Sequence, residues 1–211
     1  MSAALVLATR NRGKLAELDR ILTAAGVRTR LLTLDEVEVP EVVESGATFA
    51  ENAVLKAVAT AAASGLPAVA DDSGLVVDAL NGMPGVLSAR WSGVGADDAS
   101  NLRLVLEQLR DVPDDRRGAS FVCVAALASP DGEVHTAEGR VSGHLLREPR
   151  GEGGFGYDPI FVPDGHTRTT AEMSPEDKDM LSHRGQAFRG IAQLLRAGGG
   201  TRTRTPEGTG S

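Results

Sequence analysis

Blocks of apolar and polar positions along the chain predict short strands and amphipathic helices. "ALVLATRN" is an apolar run that ends in polar residues, and "VRTRLLTL" reads as a second strand. Between them, "KLAELDRILTAAG" has the spacing of a helix that Gly26 can end, with apolar residues at Leu15, Leu18, Ile21 and Leu22. The chain is therefore predicted to open as strand, polar loop, helix, strand.

A second strand–helix pattern follows an acidic loop. Thr48 and Glu51 have the spacing of a capping box before "NAVLKAVATAAASG", a helix that Gly65 and Pro67 can end. "PAVAD" then predicts a short strand. It brings Asp71 and Asp72 to its carboxyl end, against a turn at "DSG".

The remaining pattern predicts a hairpin between helices. "DDASNLRLVLEQLRDVP" reads as a capped amphipathic helix, and "GASFVCVAALAS" and "EVHTAEGRV" as strands joined at "SPDG". "GYDPIFVP" predicts a further strand after a glycine loop, "SPEDK" a helix start with a serine cap, and "GQAFRGIAQLLRAGGG" a closing helix. We expect an α/β fold, a mixed β-sheet with flanking helices in one domain (residues 1–200), and a disordered tail at residues 201–211.

Composition narrows the classes of partner. The 211 residues carry a net charge of −7, which disfavours nucleic acid as a partner but leaves room for a small anion held by a few cations. The apolar run "AALVLA" is too short for a signal segment and no run is long enough to span a membrane, so we expect a cytoplasmic protein without a membrane partner. The single thiol, Cys123, excludes an internal disulfide and a cysteine zinc site, and reads as a core residue.

Two nucleotide-binding motifs match only superficially. "GEGGFG" satisfies G-x-G-x-x-G, but Pro159 and Pro163 follow where a dinucleotide fold needs a helix. Gly13 and Lys14 resemble the end of a Walker A loop, which would need glycine at Ala8 and a hydroxyl residue at Leu15. Both motifs are rejected.

Anion-binding groups collect near the start of the first helix. Thr9, Asn11 and Lys14 offer a hydroxyl, an amide and a cation beside free backbone N–H groups, which together attract phosphate. Alternatively, Thr9 and Asn11 only cap the helix and Lys14 is a surface charge.

Carboxylates form a second candidate group. Glu44, Asp71 and Asp72 offer oxygen ligands suited to Mg²⁺, and a dication would offset the repulsion between the adjacent aspartates. Alternatively, one aspartate caps the turn and the other is solvated, while Glu44 belongs to a solvated acidic loop.

A third group lies in the carboxyl-terminal part of the chain. Lys178 and Arg184 could bind phosphate, with His183 between them in sequence. Phe155 and Tyr157 could each stack on a base or pack in the core.

Taken in order, five segments resemble the inosine triphosphate pyrophosphatase family: "LATRNRGKLAEL", "ESGATFAENAVLKA", "ADDSGLVVDALNGMPGVLSARWSG", "GEGGFGYDPIFVP" and "EMSPEDKDMLSHRGQAF". The resemblance implies Mg²⁺-dependent hydrolysis of ITP, dITP and XTP to the nucleoside monophosphate and pyrophosphate, in a homodimer with a nucleotide cleft between two lobes. Two rival hypotheses are a nucleotide phosphatase that releases orthophosphate and a nucleotide sensor without turnover.

The resemblance also implies roles for individual residues. Asp72 matches the general base, and Glu44 and Asp72 match the metal ligands. The positions that match substrate contacts are Thr9, Arg10, Asn11, Arg12, Gly13, Lys14, Ser73, Phe155, Gly156, Tyr157, Asp158, Lys178, His183 and Arg184.

Overall fold

One mixed sheet organises the protein, which we describe from a computed structural model covering residues 4–10, 12–93 and 95–198. Its six strands lie in the order β2-β1-β3-β4-β5-β6. β1 pairs in parallel with β2 and β3, whereas β3 to β6 pair antiparallel. The strands are β1 (Ala4–Leu7), β2 (Arg30–Thr33), β3 (Ala68–Val77), β4 (Gly118–Ala128), β5 (Val134–Leu145) and β6 (Phe161–Pro163). The predicted mixed α/β sheet is confirmed.

Helices cover both faces of this sheet. They are α1 (Arg12–Ala24), α2 (Phe49–Ser64), α3 (Asp98–Gln108), α4 (Pro175–Leu181) and α5 (His183–Gly198). α1 and α5 bury Leu18, Phe188 and Ile191 on one face. On the opposite face, α2 packs through Ala53 and Ala57, whose small side chains allow it to lie close to the strands.

A third cluster surrounds the far ends of the three long strands. It contains Leu102 and Val105 of α3 together with Tyr157 and Phe161. Because β3, β4 and β5 run through to this cluster, one continuous sheet joins it to the helical layers. In the described part of the chain, no helix combines the length and apolarity needed to cross a membrane.

The predicted end of β3 is wrong. The strand continues through Asp71 and Asp72 to Val77, so "DSG" lies inside the sheet and forms no turn. Its backbone pairs with β4 along the whole length, and this ladder overrides the turn preference of the side chains. Gly74 is required there, since a Cβ would lie 2.6 Å from the Gly85 carbonyl oxygen.

Several local predictions are confirmed. Thr48 caps α2 by accepting from the Glu51 N–H, and Gly65 ends this helix at φ 65°. In a capping box the Glu51 carboxylate would accept from the N–H of the N-cap residue, Thr48. It accepts instead from the N–H of the preceding residue, Ala47, at 2.6 Å. β4 and β5 form the predicted hairpin, and the short strand β6 follows the glycine loop.

Candidate active site

Asp71 is the centre of a buried cluster of charges on the α1 and α5 side of the sheet. Lys14 Nζ lies 2.8 Å from both Asp71 carboxylate oxygens. Arg184 approaches from α5, with Nε 3.3 Å from Asp71 Oδ2 and Nη2 3.3 Å from Ser73 Oγ. Lys14 is in the first turn of α1 and Arg184 in that of α5, so two helix starts converge on the middle of β3.

Asp72 faces the opposite side of the sheet, toward α2. Asn52 Nδ2 donates to Asp72 Oδ2 at 3.0 Å, and the Ser73 N–H donates to Oδ1 at 3.0 Å. Lys56 Nζ lies 2.7 Å from Glu44 Oε1 and 3.9 Å from Asp72 Oδ1. One ammonium thus lies between the two carboxylates that are expected to be metal ligands.

The alternation of side chains along a strand explains how two adjacent aspartates are tolerated. Successive residues of β3 point to opposite faces, so Asp71 and Asp72 are separated by the sheet and each has its own cations. The expectation that Asp71 joins Glu44 and Asp72 around one dication is therefore wrong. The alternative in which one aspartate caps a turn fails too, since both residues lie within the strand.

The two aspartates differ in acidity because their cations differ in proximity. Burial alone would raise the pKa of Asp71, but Lys14 and Arg184 outweigh it and the pKa is lowered. Burial raises the pKa of Asp72, and Glu44 adds to the increase. Lys56 and Asn52 oppose that increase without cancelling it. Asp71 therefore remains an anion in the cluster, whereas Asp72 is the more basic carboxylate.

The loop between β1 and α1 is placed beside Asp71 by strand pairing. The Ala8 N–H donates to the Val69 carbonyl at 2.7 Å, which sets the end of β1 two residues before Asp71. Thr9 follows in this loop, whereas Arg10 points away and pairs with exposed Asp35 at 3.6 Å. Asn11 lies outside the described residues. Arg12 and Gly13 are placed as the backbone of the first turn of α1.

A second part of the candidate site is built around Asp158. Its Oδ2 accepts from Lys178 Nζ at 2.5 Å and from the Phe155 N–H at 2.8 Å. Its Oδ1 accepts from Thr170 Oγ1 at 2.8 Å. The Gly156 N–H donates to Asp98 Oδ2 at 2.8 Å, so the glycine loop is held from two directions.

The two aromatic residues of this loop have different environments. Phe155 is 64% exposed, and Lys178 Nζ lies 5.0 Å from its ring centroid. Tyr157 is buried, and its hydroxyl donates to the Ser88 carbonyl at 2.8 Å. Phe155 therefore offers an aromatic surface for stacking, whereas the Tyr157 ring belongs to the third cluster.

His183 begins α5, and its ring stacks on Phe121 with centroids 5.2 Å apart. Burial, reinforced by the adjacent Arg184 charge, lowers the pKa of His183 to about 3. The imidazole is therefore neutral near pH 7, with one N–H to donate.

We expect the neutral His183 to make the fold sensitive to acid. Its pKa in the folded state, about 3, is below the ordinary value of 6.5. Between these two pKa values the unfolded chain binds a proton at His183 that the folded protein does not. The free energy of unfolding therefore decreases as the pH falls from 6.5 toward 3. The His183→Gln variant should lose less free energy of unfolding than the parent between about pH 7 and about pH 4.5 in urea titrations. His166→Gln, at an exposed position, is the control, and equal pH dependence of all three proteins would contradict the expectation.

Some residues of the site were missed by sequence reasoning. Lys56 and Asn52 lie one turn apart on α2 and both reach Asp72. Asn52 is fully buried, and its Oδ1 also accepts from the Gly46 N–H at 2.8 Å, which fixes the loop that carries Glu44. The available signal was an amide and a cation at helical spacing in the alanine-rich segment "ENAVLKA".

Comparison with known proteins gives matches over nearly the whole chain. Residues 5–194 match the model of the Ham1 family. A dITP/XTP pyrophosphatase of Streptomyces coelicolor is 55% identical over 193 residues, which cover 91% of this chain and 96% of that protein. A dITP/XTP pyrophosphatase of Frankia alni is 58% identical over 197 residues, covering 90% of this chain and 96% of the relative. The structure of a HAM1 protein from Coxiella burnetii superposes with a TM-score of 0.87 at 44% identity, covering 92% of this chain and 99% of the other.

Proposed function

Since this chain belongs to the Ham1 family, we propose that it hydrolyses the non-canonical purine nucleoside triphosphates ITP, dITP and XTP to the nucleoside monophosphate and pyrophosphate. The names of the relatives from Streptomyces and Frankia, which identify dITP/XTP pyrophosphatases, support this substrate class. The reaction would remove these nucleotides from the cytoplasmic pool.

The observation that carries the proposal is the arrangement of charges on the two faces of β3. A basic carboxylate, Asp72, lies beside Glu44 on one face, while Lys14 and Arg184 meet on the other. Ser73 lies next in the strand, where its side chain contacts Arg184 and its N–H donates to Asp72. Since β1 pairs with β3 only as far as Val69, the groups of both faces border the same stretch of β3 beyond the end of that pairing. Hydrolysis of a triphosphate requires such a pairing of a proton acceptor with positioned cations.

The residues present fit a Mg²⁺ ion. The position of Lys56 supports this fit, since its ammonium lies within ion-pair distance of both Glu44 and Asp72. In the described part of the chain, no three acidic, histidine or cysteine residues form a metal cage. Mg²⁺ commonly needs only one or two carboxylates, because water and substrate phosphates complete its coordination. Glu44 and Asp72 would hold the ion, which would offset negative charge on the phosphate oxygens.

Residues of this chain would carry out the proton transfer and bind the phosphate chain. Asp72 accepts a proton from the attacking water, helped by the raised pKa of its carboxyl group. The water oxygen bonds to the α-phosphorus, and the bond to the bridging oxygen breaks to release pyrophosphate. Lys14 and the backbone N–H groups at the start of α1 hold the phosphate chain.

The glycine loop supplies the base site. Phe155 would stack on the purine, and Gly156, Asp158 and Lys178 lie around this ring. These residues, together with His183 at the start of α5, would contact the edge of the purine. A neutral His183 and backbone N–H groups can donate to the 6-keto oxygen of hypoxanthine or xanthine. Adenine has an amino group there, which would leave these donors unpaired.

A product assay tests the proposal. The purified protein is incubated with Mg²⁺ and, separately, ITP, dITP, XTP, ATP or GTP, and all phosphate-containing products are resolved. We expect monophosphate and pyrophosphate from the first three nucleotides, little product from ATP or GTP, and loss of activity when a chelator removes the metal.

Other products would support the rival functions. Diphosphate with orthophosphate would identify a nucleotide phosphatase. Binding without turnover in the presence of Mg²⁺ would identify a sensor. Strong cleavage of ATP would contradict the base selection alone, because the cleavage chemistry would remain.

A homodimer is also part of the proposal. Leu55 and Val58 lie three residues apart on α2, and they are 40% and 41% exposed. Val43, in the loop before α2, is 78% exposed. Apolar side chains of this kind favour burial against a second copy, and sedimentation of the purified protein would measure the association.

A further inference from the structure

Glu17 is a largely buried carboxylate that the proposed chemistry does not use. It lies three residues after Lys14 on α1, so both side chains occupy the same face of the helix. Its side chain is only 14% exposed, which is rare for a glutamate unless cations or donors surround it. Its position therefore implies a function within the Asp71 cluster.

Two contacts of Glu17 lead to the start of α5. Its Oε2 is 3.8 Å from Arg184 Nη1, and Ser182 Oγ donates to its Oε1 at 3.3 Å. Ser182 in turn accepts from the Gly185 N–H at 3.0 Å, which makes it the cap of α5. Glu17 thus holds both the guanidinium group and the helix end from which it extends.

Charge balance in the cluster depends on Glu17. Two cations, Lys14 and Arg184, face two anions, Asp71 and Glu17. Arg184 approaches Asp71 through Nε at 3.3 Å, whereas Lys14 contacts both Asp71 oxygens at 2.8 Å. If Glu17 lost its charge, Arg184 would be drawn toward Asp71, because a planar guanidinium binds a carboxylate best through two parallel hydrogen bonds.

We propose that Glu17 is a positioning residue that limits Arg184 to a single contact with Asp71 through Nε. It thereby keeps both Asp71 oxygens paired with Lys14, and keeps Arg184 Nη2 in contact with Ser73. Without it, Arg184 competes for Asp71, displaces Lys14 and leaves Ser73. This inference rests on the proposed function, since it concerns how tightly the same site holds the triphosphate.

Glu17→Gln is the decisive variant, because it keeps the shape and the acceptor for Ser182 but removes the charge. We expect the KM for ITP and the Kd for inorganic pyrophosphate to rise about tenfold, with a smaller change in kcat. The matched control is Asp19→Asn, which removes the same charge from an exposed position of α1 and should leave both constants unchanged. A defect of folding alone would lower kcat through the active fraction without this pattern.

A double-mutant cycle tests the route through Arg184. In an Arg184→Met background, Glu17→Gln should add little to the loss of affinity. Additive losses, or a KM of Glu17→Gln equal to that of Asp19→Asn, would overturn the inference.

Glu17→Asp replaces Glu17→Gln if the latter fails to fold. A smaller rise in KM for Glu17→Asp supports the inference, and an unchanged KM overturns it. Absence of pyrophosphate release by the unmodified protein would instead count against the proposed function.

Discussion

Replacement of Asp72 by asparagine should reduce turnover of ITP by about a thousandfold or more while nucleotide affinity changes by less than about tenfold. Asparagine cannot accept the proton of the attacking water. Its single amide oxygen can still accept the hydrogen bond that the Ser73 N–H donates, although the bond from Asn52 to the second oxygen is lost. The ladder with β4 should keep the strand in position. The rate of pyrophosphate release gives the first quantity, and calorimetric titration with ITP gives the second.

A matched control separates the loss of the base from the loss of a negative charge. Glu38→Gln removes one carboxylate from an exposed position of the acidic loop and should leave turnover and affinity unchanged. If Asp72→Asn kept turnover within about tenfold of the parent, the assignment of Asp72 as proton acceptor would be wrong. The raised pKa of Asp72 would then be expected to affect nucleotide binding and not proton transfer.

The adjacent aspartates show which part of the site local sequence could predict. Their residue types and their place after an apolar run indicated a charged site on a strand of the sheet. Their environment could not be predicted in the same way, because "DSG" has the composition of a turn. The pairing of Asp71 with Ala125 and of Asp72 with Val124 comes from a strand far along the chain, and it extended β3 through the motif.

Lys56 shows a second limit of local pattern. A lysine in an alanine-rich helix reads as a surface charge, and only the packing of α2 on β3 brings it between Glu44 and Asp72. Phe155 and Tyr157 were likewise equivalent by composition, but the fold exposes the first ring and buries the second. Helices and strands with clear periodicity were predictable, since their signal is local, whereas side-chain partners depend on contacts between distant segments.

The largest loss of stability is expected at Arg117, whose side chain is buried between the end of α3 and the end of β5. It is 2% exposed and donates to the carbonyl oxygens of Leu145 at 2.8 Å, Leu109 at 2.7 Å and Leu146 at 2.8 Å. In Arg117→Met, these carbonyls would lose their side-chain donors inside the protein. We expect the free energy of unfolding in urea to fall by about 3 to 5 kcal/mol.

Two further variants determine whether those hydrogen bonds cause the loss. Arg117→Lys keeps the charge but replaces the guanidinium fork by a point donor, so it should recover only part of the stability. Arg116→Met makes the same change as Arg117→Met at the exposed neighbouring position and should cost less than about 0.5 kcal/mol. Arg117→Met within about 1 kcal/mol of the parent would show that water satisfies the carbonyls, since a buried carbonyl without a donor costs more than that. Full recovery by lysine would assign the effect to charge, because the geometry of the fork would then be unnecessary.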